Sequence, residues 1–183
     1  MSLKIRNHLE EIMELVELMK KRFSARKYED KQIPKEVEDY LIQALKWAPS
    51  GKNTQPWKFI FIKDNEIKER LKKACKGQKY VLEAPLVVAA IGFPEDSYPA
   101  MGGYWNAITV DVSIALTQMM LAAKEKELDT CWIGAFYEKD VKEILEVPEN
   151  GMVVSLMTVG YSSQERKTGR KDESEIICYE KYS

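Results

Sequence analysis

The stretch Ala48-Pro49-Ser50-Gly51-Lys52-Asn53-Thr54-Gln55-Pro56-Trp57 joins a helical pattern to a strand pattern. Upstream, Pro34 opens a helix with Glu36 in its first turn and Val37, Leu41, Ala44 and Leu45 on one face, ending near Ala48-Pro49. Downstream, Trp57 to Ile62 is a β-rich run. The joining segment is dense in side-chain donors and acceptors. An ordinary turn needs only Pro, Gly and Asn, whereas a loop this polar suits a ligand with many hydroxyls.

Working outward, residues 5–21 place Leu9, Ile12, Val16 and Met19 at helical spacing. Asn65 is the expected cap of a helix carrying Ile67, Leu71 and Cys75. Leu86 to Ile91 is a continuous apolar strand, as expected inside a covered sheet. Residues 106–126 form a long apolar helix with Ile108, Val112, Ala115, Met119 and Ala122 on one side. Thr130 to Ile133 is a short strand, Glu138 to Leu145 a short helix and Met152 to Val159 a buried strand. The tail, 161–183, is polar until Ile176-Ile177. Taken alone, this alternation suggests a doubly wound nucleotide-binding sheet. Yet GxGxxG and GxxxxGK[ST] are both missing and the chain has only 9 glycines, so a glycine loop for phosphate is not supported.

The length of 183 residues fits one domain, 1–183. Lys plus Arg is 28 and Asp plus Glu is 29, a net charge of −1 that excludes the global basic excess of a nucleic-acid coat or polybasic membrane binder. A hydrophobic share of 45% argues against disorder. The first residues read as an amphipathic helix rather than a signal peptide. The longest near-apolar run, Ala84 to Phe93, is about half the roughly 20 residues that span a bilayer. Cys75, Cys131 and Cys178 show no CxxC spacing and read as reduced thiols of a cytoplasmic protein. The single histidine, His8, lies on a polar stretch, which argues against Ser-His-Asp or Cys-His catalysis and against a thiolate zinc site.

Two further segments carry chemistry. Arg22-Phe23-Ser24-Ala25-Arg26 sets two guanidiniums around a hydroxyl, just beyond a helix. Arginine forks match phosphate or carboxylate oxygens bidentately, each charge-assisted bond contributing about 1.5–3 kcal/mol. A solvated helix end is the bland alternative, since cations favour that end of the dipole. Thr130-Cys131-Trp132-Ile133-Gly134-Ala135-Phe136 is a strand whose Gly-Ala exit leaves backbone N–H groups accessible to a ligand edge.

Together these segments resemble the FMN-dependent nitroreductase family. The match runs from Arg22-x-Ser24-x-Arg26 through Ala48-Pro49-Ser50-x-x-Asn53-x-Gln55-Pro56-Trp57 to Asp111, Ala115 and Leu121-Ala122-Ala123. It continues with Cys131 to Phe136, Leu145-x-Val147-Pro148 and Val159-Gly160-Tyr161. The resemblance implies an α+β, three-layer fold with a central, mostly antiparallel sheet flanked by helices. It also implies a homodimer with FMN at the subunit interface, and NADH or NADPH as electron donor. By the same resemblance Arg22 and Ser24, beside Phe23, hold the FMN phosphate, and Arg26 reaches the ribityl chain or the pyrimidine edge. Arg170 and Lys167 of the tail add cations. Pro49, Ser50, Gly51 and Asn53 match the loop that lines the flavin from the partner subunit. Ile133, Gly134 and Ala135 match the strand exit facing flavin N5, and Gln78 matches a polar contact to the ring. Phe23 departs from the basic residue common at the second motif position.

On this reading no side chain serves as nucleophile or base, and no metal is needed. The flavin carries the chemistry, the protein binds and orients it, and turnover is ping-pong. The acceptor is a nitro compound, a quinone or a similar small molecule. Alternatives within the fold are a reductive dehalogenase or the flavin-fragmenting enzyme of cobalamin-base synthesis; a non-catalytic flavin-binding module is a third. Ser97 to Trp105 is the candidate substrate-side wall, or an aromatic-capped helix entry packing on the partner.

Overall fold

The computed structural model describes residues 15–165 and 169–182. The expectations on Leu9, Ile12, His8 and Lys167 lie outside the described residues.

The helices are α1 (Leu15–Lys21), α2 (Lys35–Lys46), α3 (Asn65–Ala74), α4 (Tyr80–Glu83), α5 (Ile108–Glu125) and α6 (Glu138–Leu145). The strands are β1 (Trp57–Ile62), β2 (Leu86–Gly92), β3 (Asp129–Ile133) and β4 (Met152–Gly160), in sheet order β1-β2-β4-β3. Every pairing is antiparallel, so the doubly wound parallel sheet that the alternation alone suggests is not formed. Alternation of element type does not fix strand direction. β1 ends with Ile62 opposite Val87, where β2 begins, so α3 and α4 return the chain to the sheet end it left and no crossover is needed.

β2 is central and buried at every position. Period-two alternation sends Leu86, Val88 and Ala90 to one face and Val87, Ala89 and Ile91 to the other. On the first face they meet Leu41 and Leu45 of α2 and Val112, Leu116 and Met119 of α5. On the second they meet Leu71 and Ala74 of α3, Val81 of α4 and Val141 of α6. This is a three-layer α+β arrangement, and it explains why β2 reads as an unbroken apolar run. A Cβ at Gly92 would stand 2.5 Å from the Ile108 side chain, and this close approach seats α5 on the end of β2.

Two local expectations are corrected. The cap of α3 is Asp64, whose carboxylate accepts the N–H groups of Glu66 and Ile67 at 2.9 Å; Asn65 is already inside the first turn. In α1 the inward residue is Leu18, while Val16 and Met19 are 57% and 44% exposed. This short helix lies against α5 along one narrow stripe, so its other apolar residues face outward. Cys75 and Cys131 are buried free thiols, and Cys178 is exposed. No described helix is long and apolar enough to cross a membrane.

Candidate functional site

Beyond α1 the chain runs alongside β3. Ser24 forms a parallel bridge with Thr130, and the Ala25 N–H donates to the Thr130 carbonyl at 3.0 Å. Ala25 is buried, so extended-chain alternation turns Ser24 and Arg26 to the opposite, exposed side. There a cleft of about 640 Å³ is lined by Arg22, Phe23, Ser24, Arg26, Arg170 and, from the post-β4 segment, Gln164 and Glu165. Gln164 fastens that segment by accepting the Arg26 N–H at 2.8 Å. Among the described residues, three guanidiniums thus face the cleft against one carboxylate, Glu165, a donor set that fits a dianionic phosphate without a glycine loop. Phe23 lines the wall and lies under the Lys124 ammonium, itself paired with Asp129 at 2.7 Å. Burial raises the Asp129 carboxyl above its usual range, and Lys124 opposes that rise.

The strand exit adjoins this cleft. Because the bridge is parallel, Arg26 advances two residues from Ser24, about 6.6 Å, to the level of Trp132. The Ile133 carbonyl accepts the buried Ser155 hydroxyl at 2.9 Å. The Ala135 carbonyl accepts the Gln78 amide at 3.0 Å. A trans peptide sets its N–H opposite its carbonyl, so these bonds turn the N–H groups of Gly134 and Phe136 outward, and neither is bonded among the described residues. Gly134 and Ala135 are exposed, and the Ala135 N–H makes no hydrogen bond among the described residues. A Cβ added at Gly134 would meet nothing within 4 Å, so that side is open to a ligand.

Gln78, expected as a polar contact to the flavin ring, is hydrogen-bonded within the chain. Its Nε2 donates to the Cys75 carbonyl at 2.8 Å as well as to Ala135, and its Oε1 accepts the Tyr80 hydroxyl. The side chain supports the exit from below. Burial raises the Tyr80 hydroxyl to about 12, and the Cys131 thiol and Arg26 guanidinium both lie within its reach.

The loop after α2 has a geometry of its own. Lys52, Asn53 and Gln55 have φ of 52°, 56° and 49°, in the left-handed region that non-glycine residues rarely occupy. The Gly51 N–H donates to the Asp111 carboxylate at 3.0 Å, and the Ser97 hydroxyl donates to its other oxygen at 3.3 Å. Asp111, 3% exposed in the first turn of α5, therefore holds both the loop and the start of the Ser97–Trp105 segment. Ser50 Oγ accepts the Gln55 N–H at 2.9 Å, and the Gln55 amide reaches back to Asn53. Pro49 is exposed.

A single chain does not bring this loop to the arginine cleft. The loop leads into Trp57, opposite Gly92, which itself pairs with Met152 at the start of β4. Ser24 pairs with Thr130, which is opposite Val159 near the end of β4. Met152 and Val159 are about 24 Å apart along the strand, and the two segments flank opposite edges of the sheet.

Of the residues singled out from the sequence, the structure brings Arg22, Ser24, Arg26 and Arg170 together at one cleft beside the strand exit. Sequence reasoning missed Tyr80, Ser155 and Gln164, which carry no motif, and the anchoring role of Asp111. Among the described residues no cluster of His, Cys, Asp and Glu could hold a metal ion.

On a three-layer α+β domain with an antiparallel sheet, the arginine cleft beside the open strand exit has a donor set that a phosphate-bearing ligand would fit. The chain belongs to the nitroreductase family, whose profile matches residues 19–94 and 77–161. It is similar to a nitroreductase family protein of Clostridium difficile 630, with a TM-score of 0.85 and 30% identity over 93% of this chain and 100% of that one. An FMN-dependent nitroreductase of Clostridium difficile R20291 gives a TM-score of 0.80 and 28% identity over 91% of this chain and 99% of that one. Iodotyrosine deiodinase 1 of Sus scrofa is 37% identical, covering 83% of this chain and 62% of its own length.

Proposed function

We propose that the chain, as a single domain over 1–183, is an FMN-dependent NAD(P)H oxidoreductase of nitroreductase type that reduces a nitro, quinone or similar acceptor. The observation that carries this is the continuity of the arginine cleft with the Ile133–Ala135 exit. Cations for a phosphate stand at one end, and an unbonded N–H at an open edge stands at the other. Bound there, FMN supplies hydride chemistry between NAD(P)H and the acceptor, in ping-pong order.

The chain's own residues bind and orient. Arg22, Ser24 and Arg170 would hold the phosphate, with Phe23 as a wall. Arg26, further toward the exit, would set a cation beside the pyrimidine edge. The Gly134 N–H, opposite the tied Ile133 carbonyl, would donate toward N5. We assign Pro49, Ser50, Gly51 and Asn53 to the cofactor of a second copy, because one chain holds that loop at the far corner of its sheet.

The working form is accordingly a homodimer. Grooves along α5, one of about 710 Å³ lined by Trp105, Val110, Ile114 and Leu121, and the 75% exposed Trp47 beside them, supply an apolar face for the second copy. We place the protein in the cytoplasm, consistent with the buried free thiols Cys75 and Cys131.

A specialised flavoenzyme of this fold, a reductive dehalogenase, is the second reading; the likeness to iodotyrosine deiodinase 1 favours it. Bleaching of bound FMN by NADH or NADPH, then reoxidation by a panel of quinones, nitro compounds, enones and halogenated phenols, decides between them. Reoxidation by halogenated phenols alone selects the dehalogenase. Protein that takes up no added FMN overturns both.

A further inference from the structure

The amide of Gln78 has carbonyls of Cys75 and Ala135 on one side and the Tyr80 hydroxyl on the other. Only one orientation of the amide satisfies all three, since Nε2 must face the carbonyls and Oε1 the hydroxyl. The two carbonyls, which only accept, set that orientation, and the hydroxyl braces the amide from its other end. Tyr80 is itself buried among Val81, Cys131 and Val141, with only two side-chain torsions to fix, and its phenol needs a partner where it lies.

We infer that Tyr80 is a positioning residue for the proposed site: through Gln78 it helps to hold the Ala135 carbonyl inward, and so turns the Phe136 N–H, on the other side of the same trans peptide, toward the open side of the strand exit. This role presupposes FMN at that exit. The same hydroxyl meets Arg26, so one buried group ties the cleft's inner cation to the exit's backbone. Because burial keeps the phenol protonated to about 12, the donor persists across the working pH range. With phenylalanine at position 80, Gln78 Oε1 loses its donor, and the amide holds the Ala135 carbonyl without that brace.

The test uses the full-length protein stripped of flavin. FMN affinity is read by fluorescence titration, and the midpoint potential of bound FMN by spectroelectrochemistry. The set is wild type, Tyr80→Phe, Gln78→Leu, the double variant and Val141→Ala, a buried neighbour with no polar link to the exit. Each of the first two single variants should weaken FMN binding about tenfold. The double variant should be no weaker than the worse single one, since both break one relay. Val141→Ala should lower the melting temperature yet keep the potential, while Tyr80→Phe shifts it. Additive losses in the double variant, or an equal potential shift in Val141→Ala, overturn the relay while leaving the FMN reading intact. Wild-type protein that binds no FMN overturns both.

Discussion

The Asp111 carboxylate reaches from the first turn of α5 to accept the Gly51 N–H at 3.0 Å. This bond joins a buried helix to the loop of Lys52, Asn53 and Gln55, whose left-handed backbone would otherwise relax. Asp111→Ala leaves the Gly51 N–H and Ser97 hydroxyl without their acceptor. The expected loss is about 2 kcal/mol in urea unfolding of the flavin-free protein. Flavin binding should weaken as well, because the loop no longer holds its shape. Unchanged stability would remove Asp111 from this role.

Arg26 stands at the inner end of the cleft, close to Tyr80 and Cys131. Arg26→Ala should weaken FMN retention or slow its reduction, by roughly tenfold or more if one charge-assisted bond is lost. Flavin content after purification and stopped-flow reduction by NADH and NADPH measure this. No change in either quantity defeats the assignment.

Phosphate recognition separates from ring recognition by comparing FMN with riboflavin. Arg170→Ala should weaken FMN and leave riboflavin affinity little altered, since the tail guanidinium lines the phosphate end. Glu165→Gln removes the one carboxylate that lines the cleft among the described residues and should tighten FMN by about two- to fivefold. Fluorescence titrations at low and high salt check both, and the gain from Glu165→Gln should shrink as salt rises.

Alkaline pH should erode stability through Tyr28 and Tyr80. Burial raises both hydroxyls above the ordinary 10.0, Tyr80 to about 12 and Tyr28 further still. Above pH 10 the unfolded chain releases these protons first, so the native state binds more protons and stability falls as pH rises. Each such group contributes about 1.4 kcal/mol per pH unit until its folded pKa is reached. Tyr28 Oη also bonds Thr158 Oγ1 at 2.7 Å and donates to the Ala25 carbonyl at 3.1 Å. Tyr28→Phe should therefore cost stability at pH 7 and flatten the decline between pH 10 and 11. A decline as steep as that of the wild type would show that Tyr28 does not contribute to it.

The face of α5 tests the dimer. Ile114→Glu sets a charge in the apolar groove beside Trp105 and Leu121, where Ile114 is 38% exposed. The expected result is a monomer in sedimentation velocity that has lost its FMN, as the loop of the second copy is withdrawn. A monomer that keeps FMN would show that one chain completes the site.

Local chemistry determined a large share of this protein. Apolar period and turn residues placed β1 at Trp57–Ile62 and α6 at Glu138–Leu145. The spacing of Arg22, Ser24 and Arg26 placed three polar groups on one side of an extended segment, because alternation there is a property of the backbone itself. The family resemblance likewise rests on short ordered motifs.

Tertiary structure decided what local pattern does not encode. Strand direction depended on which sheet end each connection returns to, so the alternation of helices and strands was silent on it. Asp64 rather than Asn65 became the cap because only its backbone is extended at the helix start. Gln78 and Tyr80 have no motif of their own. Their partners, Ala135 and Arg26, lie over fifty residues away in sequence and meet them only when β3 packs against α3 and α4. The separation of the Gly51 loop from the arginine cleft is likewise a fact of the sheet. Registers along β2 and β4 put the two at opposite corners, and long-range pairing of that kind is fixed by the packed core rather than by any stretch of sequence.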